Sequence, residues 1–370
     1  MEDKGMKILM TTDTVGGVWV YSLELCKALQ EYDVEVHLAA MGAWPSEAQM
    51  QEVAAIKNTT LYKSDFKLEW MEDPWEDVEK SNKWINSIYH TIYPDVVHMN
   101  NYAHIGEDWT CPIVTVFHYC VQTWWQAVKG TSAPESWDKY TQVVKESLHA
   151  SHVVVSPTNA ILEKAKKTHG FDTAAKVIYN GRGMNALEEK EKEEFILCIG
   201  RIWDEAKNLK LLSHIAKNLP WPVYIAGTRI NPGSGEKSEF ENVKFLGKLQ
   251  PYEVEEWMQR ASIFVSPTKY EPFGLAILEA AKSGCALILS ELDTLKEIWE
   301  DSAAFFNPED EQEAQEKILQ LIENETLRKE FSEKARHKAK EYSSEKMASE
   351  YLELYREIIN NQSKPKLTTV

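Results

Sequence analysis

Short apolar runs recur along the chain, each followed by a polar or glycine-bearing turn and then by a stretch with apolar residues at helical spacing. In the first half these stretches begin at Met6, Val34, Asp95, Ile113, His152 and Lys176; in the second they begin at Phe195, Val223, Val243, Ile263 and Ala286. Each reads as a short buried strand. Between them lie helical patterns, among them Trp19 to Leu29, Trp137 to Ala150, Ala160 to Gly170 and Pro251 to Arg260. Strand, turn, helix and strand again is the signature of an α/β chain with parallel sheets. The stretch from Trp44 to Trp84 is less regular, polar and dotted with tryptophan.

The pattern divides in two. Glu188 to Glu194 is an unbroken run of charge, which reads as a solvated linker. It predicts a first domain over 1–184, a linker over 185–194 and a second domain over 195–342. Tyr342-Ser343-Ser344 then interrupts a helical pattern that resumes with Met347, Tyr351, Leu354, Tyr355 and Ile358, and a Ser pair there suits a kink or a new cap. The segment 343–370 is therefore expected as a last helix, fraying from Asn360.

Composition narrows the function classes. The 370 residues are 43% apolar and include 13 Trp, enough to bury two cores. The net charge of −17 is spread over both halves, which argues against nucleic acid and against tight electrostatic binding to an anionic membrane. No apolar run has the length of a membrane helix and no signal-peptide pattern is seen. Five Cys without CxxC spacing read as reduced, mostly buried thiols, so a cytoplasmic location is expected and a zinc site is not.

The chemistry concentrates in Ile263 to Ser290, IFVSPTKYEPFGLAILEAAKSGCALILS. A strand ends at Pro267, a polar turn carries Glu271, and a helix runs from Gly274 until Gly284 stops it. Glu279 lies about one turn into that helix. Phe273, Gly274 and Leu275 present backbone N–H groups at its start, a natural seat for phosphate. Upstream, the strand ending at Ile199 delivers Gly200-Arg201, and Lys207-Asn208 follow before a Leu-rich helix. Two cations at a strand's carboxyl end can clamp a diphosphate. Near the amino end, Gly16-Gly17 stand between the first strand and first helix. His118 ends the strand at Ile113–Phe117; His98, within a strand, reads as structural.

The two Glu with Pro-Phe-Gly-Leu between them resemble the donor motif of retaining glycosyltransferases of the two-Rossmann-domain type, most closely family 4. Gly-Arg-x-x-x-x-x-Lys-Asn resembles the same family's diphosphate motif, and Asn180-Gly181 its exit from the first domain. The resemblance implies the architecture called GT-B: two Rossmann-like domains with parallel sheets facing across a cleft, the last helix crossing back to the first domain. It implies transfer of a hexose from a nucleoside-diphosphate sugar, UDP or GDP, to an acceptor hydroxyl with retention of configuration. Arg201 and Lys207 would meet the leaving diphosphate, Glu271 the donor sugar, Glu279 the ribose diol, and Leu249 the nucleobase through its backbone. Gly16 and Gly17 would lie near the donor diphosphate, and His118 would face the donor sugar. Many relatives have Asp directly after that His; here it is Tyr119. Trp124 and Trp125 are candidate acceptor contacts. No Asp-x-Asp element is present, in keeping with side-chain cations in place of a metal, and no cofactor is expected. The acceptor is a carbohydrate or glycoconjugate, and any membrane contact is weak and peripheral. A GT-B sugar-nucleotide epimerase and a non-catalytic nucleotide-sugar-binding protein are the other readings.

Overall fold

The computed structural model describes residues 5–106, 108–183, 190–231 and 235–362. The chain forms two compact units: Met1–Thr123 with Ser132–Gly183 and Ser344–Val370, and Trp124–Thr131 with Met184–Ser343.

The first unit is built on seven strands: β1 (Met6–Asp13), β2 (Val34–Met41), β3 (Thr59–Lys63), β4 (Val96–Met99), β5 (Ile113–Val116), β6 (Val153–Ser156) and β7 (Ala175–Val177). They lie in the order β3-β2-β1-β4-β5-β6-β7, every pair parallel. The second unit has six: β8 (Glu193–Ile199), β9 (Val223–Ala226), β10 (Lys244–Gly247), β11 (Ala261–Ser266), β12 (Ala286–Ser290) and β13 (Ala304–Phe306), in the order β10-β9-β8-β11-β12-β13, again all parallel. Parallel strands need crossover connections, here mostly helices, which cover both faces of the sheet, so the strand sequences are continuous apolar runs rather than alternations. Ile8, Leu9 and Met10 of β1 and Ile263 and Val265 of β11 are fully buried, each such side chain contributing about 1.5–3 kcal/mol of hydrophobic stabilisation.

In both units strand order reverses once, between β1 and β4 and between β8 and β11. At such a switch point neighbouring crossovers leave on opposite faces, and a crevice opens at the strands' carboxyl ends.

The last helix, Ser344–Gln362, belongs to the first unit. Met347, Tyr351, Leu354, Tyr355 and Ile358 are its buried stripe, spaced for one helical face. The Tyr21 hydroxyl, on the helix Gly17–Leu29, donates to the Tyr351 hydroxyl at 2.6 Å.

Four sequence expectations change. Glu193 and Glu194, expected in the linker, open β8, where the Arg260 guanidinium meets Glu193 at 2.5 Å; residues 185–189 of that linker, and Met184 before it, lie outside the described residues. The stretch from Trp44 to Trp84 is regular: it holds the helix Glu47–Ala54, capped by Ser46 and Gln49, the edge strand β3, and the start of the helix Trp75–Ile92. Trp124–Thr131, expected in the first domain, groups with the second unit. Asn360 and Asn361 are helical, and 363–370 lie outside the described residues.

Candidate active site

The candidate residues of the second unit gather at its switch point. β8 ends at Ile199, and Gly200-Arg201 leave its carboxyl end. Gly227, in the loop after β9, has φ of +143°, and a Cβ there would stand 1.8 Å from the Gly200 carbonyl oxygen. Only glycine fits that approach, which holds the Arg201 loop down on its neighbour.

A single helical turn, Glu205–Lys207, presents the second cation. Asp204 caps it, accepting from the Ala206 N–H at 3.0 Å. The same carboxylate accepts from Arg201 Nη2 at 2.7 Å and from Trp124 Nε1 at 3.2 Å. Asp204 is buried, so three donors offset the desolvation of its charge. Lys129 pairs with Glu205 at 2.5 Å, so the segment 124–131 holds the turn at two points. Asn208 follows with φ of +52°, and its side chain donates to the Pro308 carbonyl at 2.9 Å.

Lys207 Nζ donates to Glu271 Oε2 at 2.7 Å, both side chains about four-fifths buried. The loop after β11 that carries Glu271 is itself tied down. Lys269 N–H and the Thr268 hydroxyl both donate to the Ala206 carbonyl, each at 2.7 Å, and the Thr294 hydroxyl donates to the Glu271 carbonyl at 2.6 Å. Gly274, at φ +90°, then turns the chain into the helix Leu275–Lys282 with no side-chain cap on its first amides. Phe273 is buried and packs edge to face on Tyr342, while Glu279 is half-buried on the second turn. A left-handed Gly284 ends the helix, with Gly284 N–H and Cys285 N–H bonding back to the Ala281 and Ala280 carbonyls, a Schellman closure. The structure thus brings Arg201, Lys207, Glu271 and the start of the Glu279 helix to one sheet edge. Leu249 stands apart, half-buried, beyond β10 at the far side of that sheet.

The first unit has a cluster at its own switch point. Asp13 ends β1 and accepts from the Val15 and Gly16 N–H groups at 3.0 and 2.9 Å. Gly16 precedes the helix at φ −140°, and a Cβ on Gly17 would meet nothing within 4 Å. Neither fact demands glycine for backbone conformation; what the second glycine leaves is open space. His118, after β5, packs edge to face on Tyr21 with ring centroids 4.7 Å apart, and its Nε2 lies 2.8 Å from Asn100 Oδ1. Burial, reinforced by neighbouring His98, pushes the His118 pKa down to about 3, so the ring is neutral at physiological pH. His98 is fully buried, consistent with a structural part. Trp124 and Trp125 meet edge to face, centroids 6.0 Å apart, and the Trp124 N–H is committed to Asp204.

Asp204, Asn100 and Tyr21 are the residues that sequence reasoning missed. Asp204 had a local signal, an Asp three residues before Lys207 at the head of a turn; Asn100 and Tyr21 had only their place at a strand end and on a helix. Among the described residues no three His, Cys, Asp or Glu side chains form a metal-binding group, and no helix is long and apolar enough to cross a membrane.

Two parallel, doubly wound units with the chain's last helix returned to the first define a two-Rossmann-domain protein of the GT-B class. The whole-chain fold is that of solved glycosyltransferase structures. Sucrose-phosphate synthase from Thermosynechococcus elongatus superposes with a TM-score of 0.79 at 15% identity, covering 96% of this chain and 100% of that one. HepE from Anabaena in complex with UDP-glucose gives 0.72 at 16% identity, covering 95% and 100%. The family models "Glycosyltransferase Family 4" and "Glycosyl transferases group 1" match residues 15–182 and 182–338 in turn, and the chain belongs to that glycosyltransferase family. Curated relatives include an uncharacterized glycosyltransferase of Methanocaldococcus jannaschii, 28% identical over 49% of this chain and 53% of its own length. Another is the N,N'-diacetylbacillosaminyl-diphospho-undecaprenol alpha-1,3-N-acetylgalactosaminyltransferase of Campylobacter jejuni, 29% identical over 46% of each chain. The chain spans about half the length of the curated relatives it matches.

Proposed function

We propose that this protein transfers a hexose from a nucleoside-diphosphate sugar to an acceptor hydroxyl with retention of anomeric configuration, in glycan, polysaccharide or glycoconjugate biosynthesis. The observation that carries the reading is the meeting of Arg201, Lys207 and Glu271 at the switch point of the second sheet, beside the amides that open the Glu279 helix. Membership of the family, a neighbour that binds UDP-glucose and a relative named for sugar transfer to a diphospho-undecaprenol glycan support it.

The two cations have capacity for a diphosphate while keeping their carboxylate partners. An ammonium has three N–H donors and a guanidinium five; the Glu271 bond uses one of the first, and Asp204 anchors the second. In the reaction the bond from the anomeric carbon to the phosphate oxygen breaks, and both of its electrons stay on the diphosphate. Arg201 and Lys207 stabilise that charge, each cation contributing about 3–4 kcal/mol to the transition state if it acts like a preorganised oxyanion donor. The acceptor oxygen attacks the same face, and its proton passes to the departing phosphate oxygen. Glu279 holds the ribose diol, its two oxygens suiting adjacent hydroxyls. The charge needed is supplied by side chains, so the proposal includes no metal ion.

A thermal-shift screen with UDP-, GDP- and ADP-sugars, with EDTA present, tests this. One nucleotide raises the melting temperature by mass action, and the shift is lost in Glu279→Ala and Arg201→Ala. Product formed with that donor is then read by NMR for anomeric configuration. No shift with any nucleotide sugar overturns the proposal.

A further inference from the structure

His118 is one end of a buried hydrogen-bond relay whose other end lies on the last helix. His118 Nε2 and His98 Nε2 both face Asn100 Oδ1, at 2.8 and 3.3 Å. His98 Nδ1 lies 2.6 Å from the Tyr355 hydroxyl, and its Nε2 lies 3.3 Å from the Tyr21 hydroxyl. All five residues belong to the first unit.

The protons in this relay can be assigned one by one. Asn100 Nδ2 donates to the Thr11 carbonyl at 2.7 Å and to Ser22 Oγ at 3.4 Å. A flipped amide would set its oxygen against the Thr11 carbonyl, so Oδ1 faces the two imidazoles and acts as acceptor for both. Both Nε2 atoms therefore carry hydrogen. His98 is neutral, its pKa held down at about 3 by burial, so its Nδ1 has a lone pair and accepts from the Tyr355 O–H. The Tyr21 hydroxyl donates to Tyr351 and accepts from His98 Nε2–H. His118, also neutral, is left with a bare Nδ1, which has no hydrogen-bond partner among the described residues.

We propose that Tyr355 of the last helix and Asn100 are positioning residues that fix the proton of His118 on Nε2, making Nδ1 an acceptor for a substrate hydroxyl. The tautomer follows from the hydrogen-bond geometry around Asn100 together with the burial that keeps both rings neutral; the hydroxyl rests on the glycosyl-transfer reading above. An acceptor nitrogen selects O–H over phosphate or carbonyl oxygen, so the ligand atom His118 meets is a sugar hydroxyl acting as donor. A fluorine in that place, which accepts but cannot donate, should be no better than hydrogen.

Long-range ¹H–¹⁵N spectra of the histidine-labelled full chain read the tautomer directly, with or without substrate. The His118 signal is identified among the ten histidines by its loss in His118→Gln. The expected result is an Nε2–H ring that stays neutral from about pH 8 to about pH 5.5, well above its depressed pKa. Tyr355→Phe removes one hydroxyl and keeps the ring; it should move His98 toward Nδ1–H and shift the His118 resonances. Asn100→Asp should raise the His118 pKa by more than one unit, as a carboxylate favours the imidazolium. An Nδ1–H His118 in the native protein overturns the proposal, as do His98 and His118 signals untouched by Tyr355→Phe. Once a donor is known, deoxy and fluoro analogues of each of its hydroxyls are compared by KM and kcat. One position should show equal losses for both, of about tenfold or more. If every fluoro sugar instead matches its parent, the hydroxyl assignment falls while the tautomer stands on the spectra.

Discussion

Lys207 and Glu271, 64 residues apart, are joined by a 2.7 Å charge-assisted hydrogen bond that links the loop after β8 to the loop after β11. Both ends are mostly buried, so the pair fixes where the proposed diphosphate cation stands. Lys207→Met removes the cation and leaves the Glu271 carboxylate without that partner in a shielded position, at a cost of about 1–3 kcal/mol in folding stability. Glu271→Gln keeps an acceptor for Lys207 and should cost less. Urea unfolding of both variants checks the order; equal losses would mean the loops are held by their backbone bonds alone.

Asp204 unites a turn cap, the Arg201 guanidinium and the Trp124 indole. Asp204→Ala should therefore lose about 1–2 kcal/mol of stability from the cap and weaken nucleotide binding as Arg201 loses its anchor. Trp124→Phe keeps an aromatic ring, though a smaller one, and removes the indole N–H. It is expected to weaken binding of the nucleotide moderately with little change in acceptor KM, read by calorimetry and steady-state kinetics. A change confined to acceptor KM would assign Trp124 to the acceptor instead.

The residues legible in the sequence were those whose neighbours in space are also neighbours in the chain. Glu271, Gly274 and Glu279 sit in one strand–loop–helix string, and Arg201 and Lys207 in another. Their partners were not legible. Trp124 reaches Asp204 across 80 residues and Tyr355 reaches His98 across 257, and nothing local marks either bond. Buried strands such as β6 and β12 announced themselves because parallel sheets are covered on both faces. β3 did not, since an edge strand reading Thr-Thr-Leu-Tyr-Lys is only partly buried and lacks an apolar run.

Two glycines give opposite expectations. At Gly227 an added Cβ would collide with the Gly200 carbonyl at 1.8 Å, and the φ of +143° disfavours any side chain. Gly227→Ala should destabilise the second unit by about 3 kcal/mol or more. At Gly17 the same methyl meets nothing within 4 Å, and Ala is the better helix former. Gly17→Ala should fold as well as the native chain or better, by up to about 1 kcal/mol. If its open space serves a ligand, turnover falls while melting temperature holds; unchanged turnover would make Gly17 a plain helix start.

Acid should weaken this protein before its carboxylates titrate. Burial pushes His98, His104 and His118 down to about 3 and His169 to about 4, against about 6.5 in the unfolded chain. Between those values the unfolded state binds more protons, so stability is fully present above about pH 6.5 and falls as pH drops toward the native values. At about pH 5 each of the three most buried rings withdraws about 2 kcal/mol, from 1.36 kcal/mol per pH unit. Glu69 acts in the opposite sense. Its carboxyl is raised by burial, so the cost of its charge is relieved as pH falls through its native pKa. One group opposes four, and the net slope stays positive. Denaturant titrations at about pH 7.5 and about pH 5 should differ by several kcal/mol, with a slope corresponding to uptake of about three or more protons on unfolding. A flat profile across that window would show that the imidazoles are reached by water in the native state. Both buried networks, His98 with Tyr355 and His118 with Asn100, would then have to be redrawn.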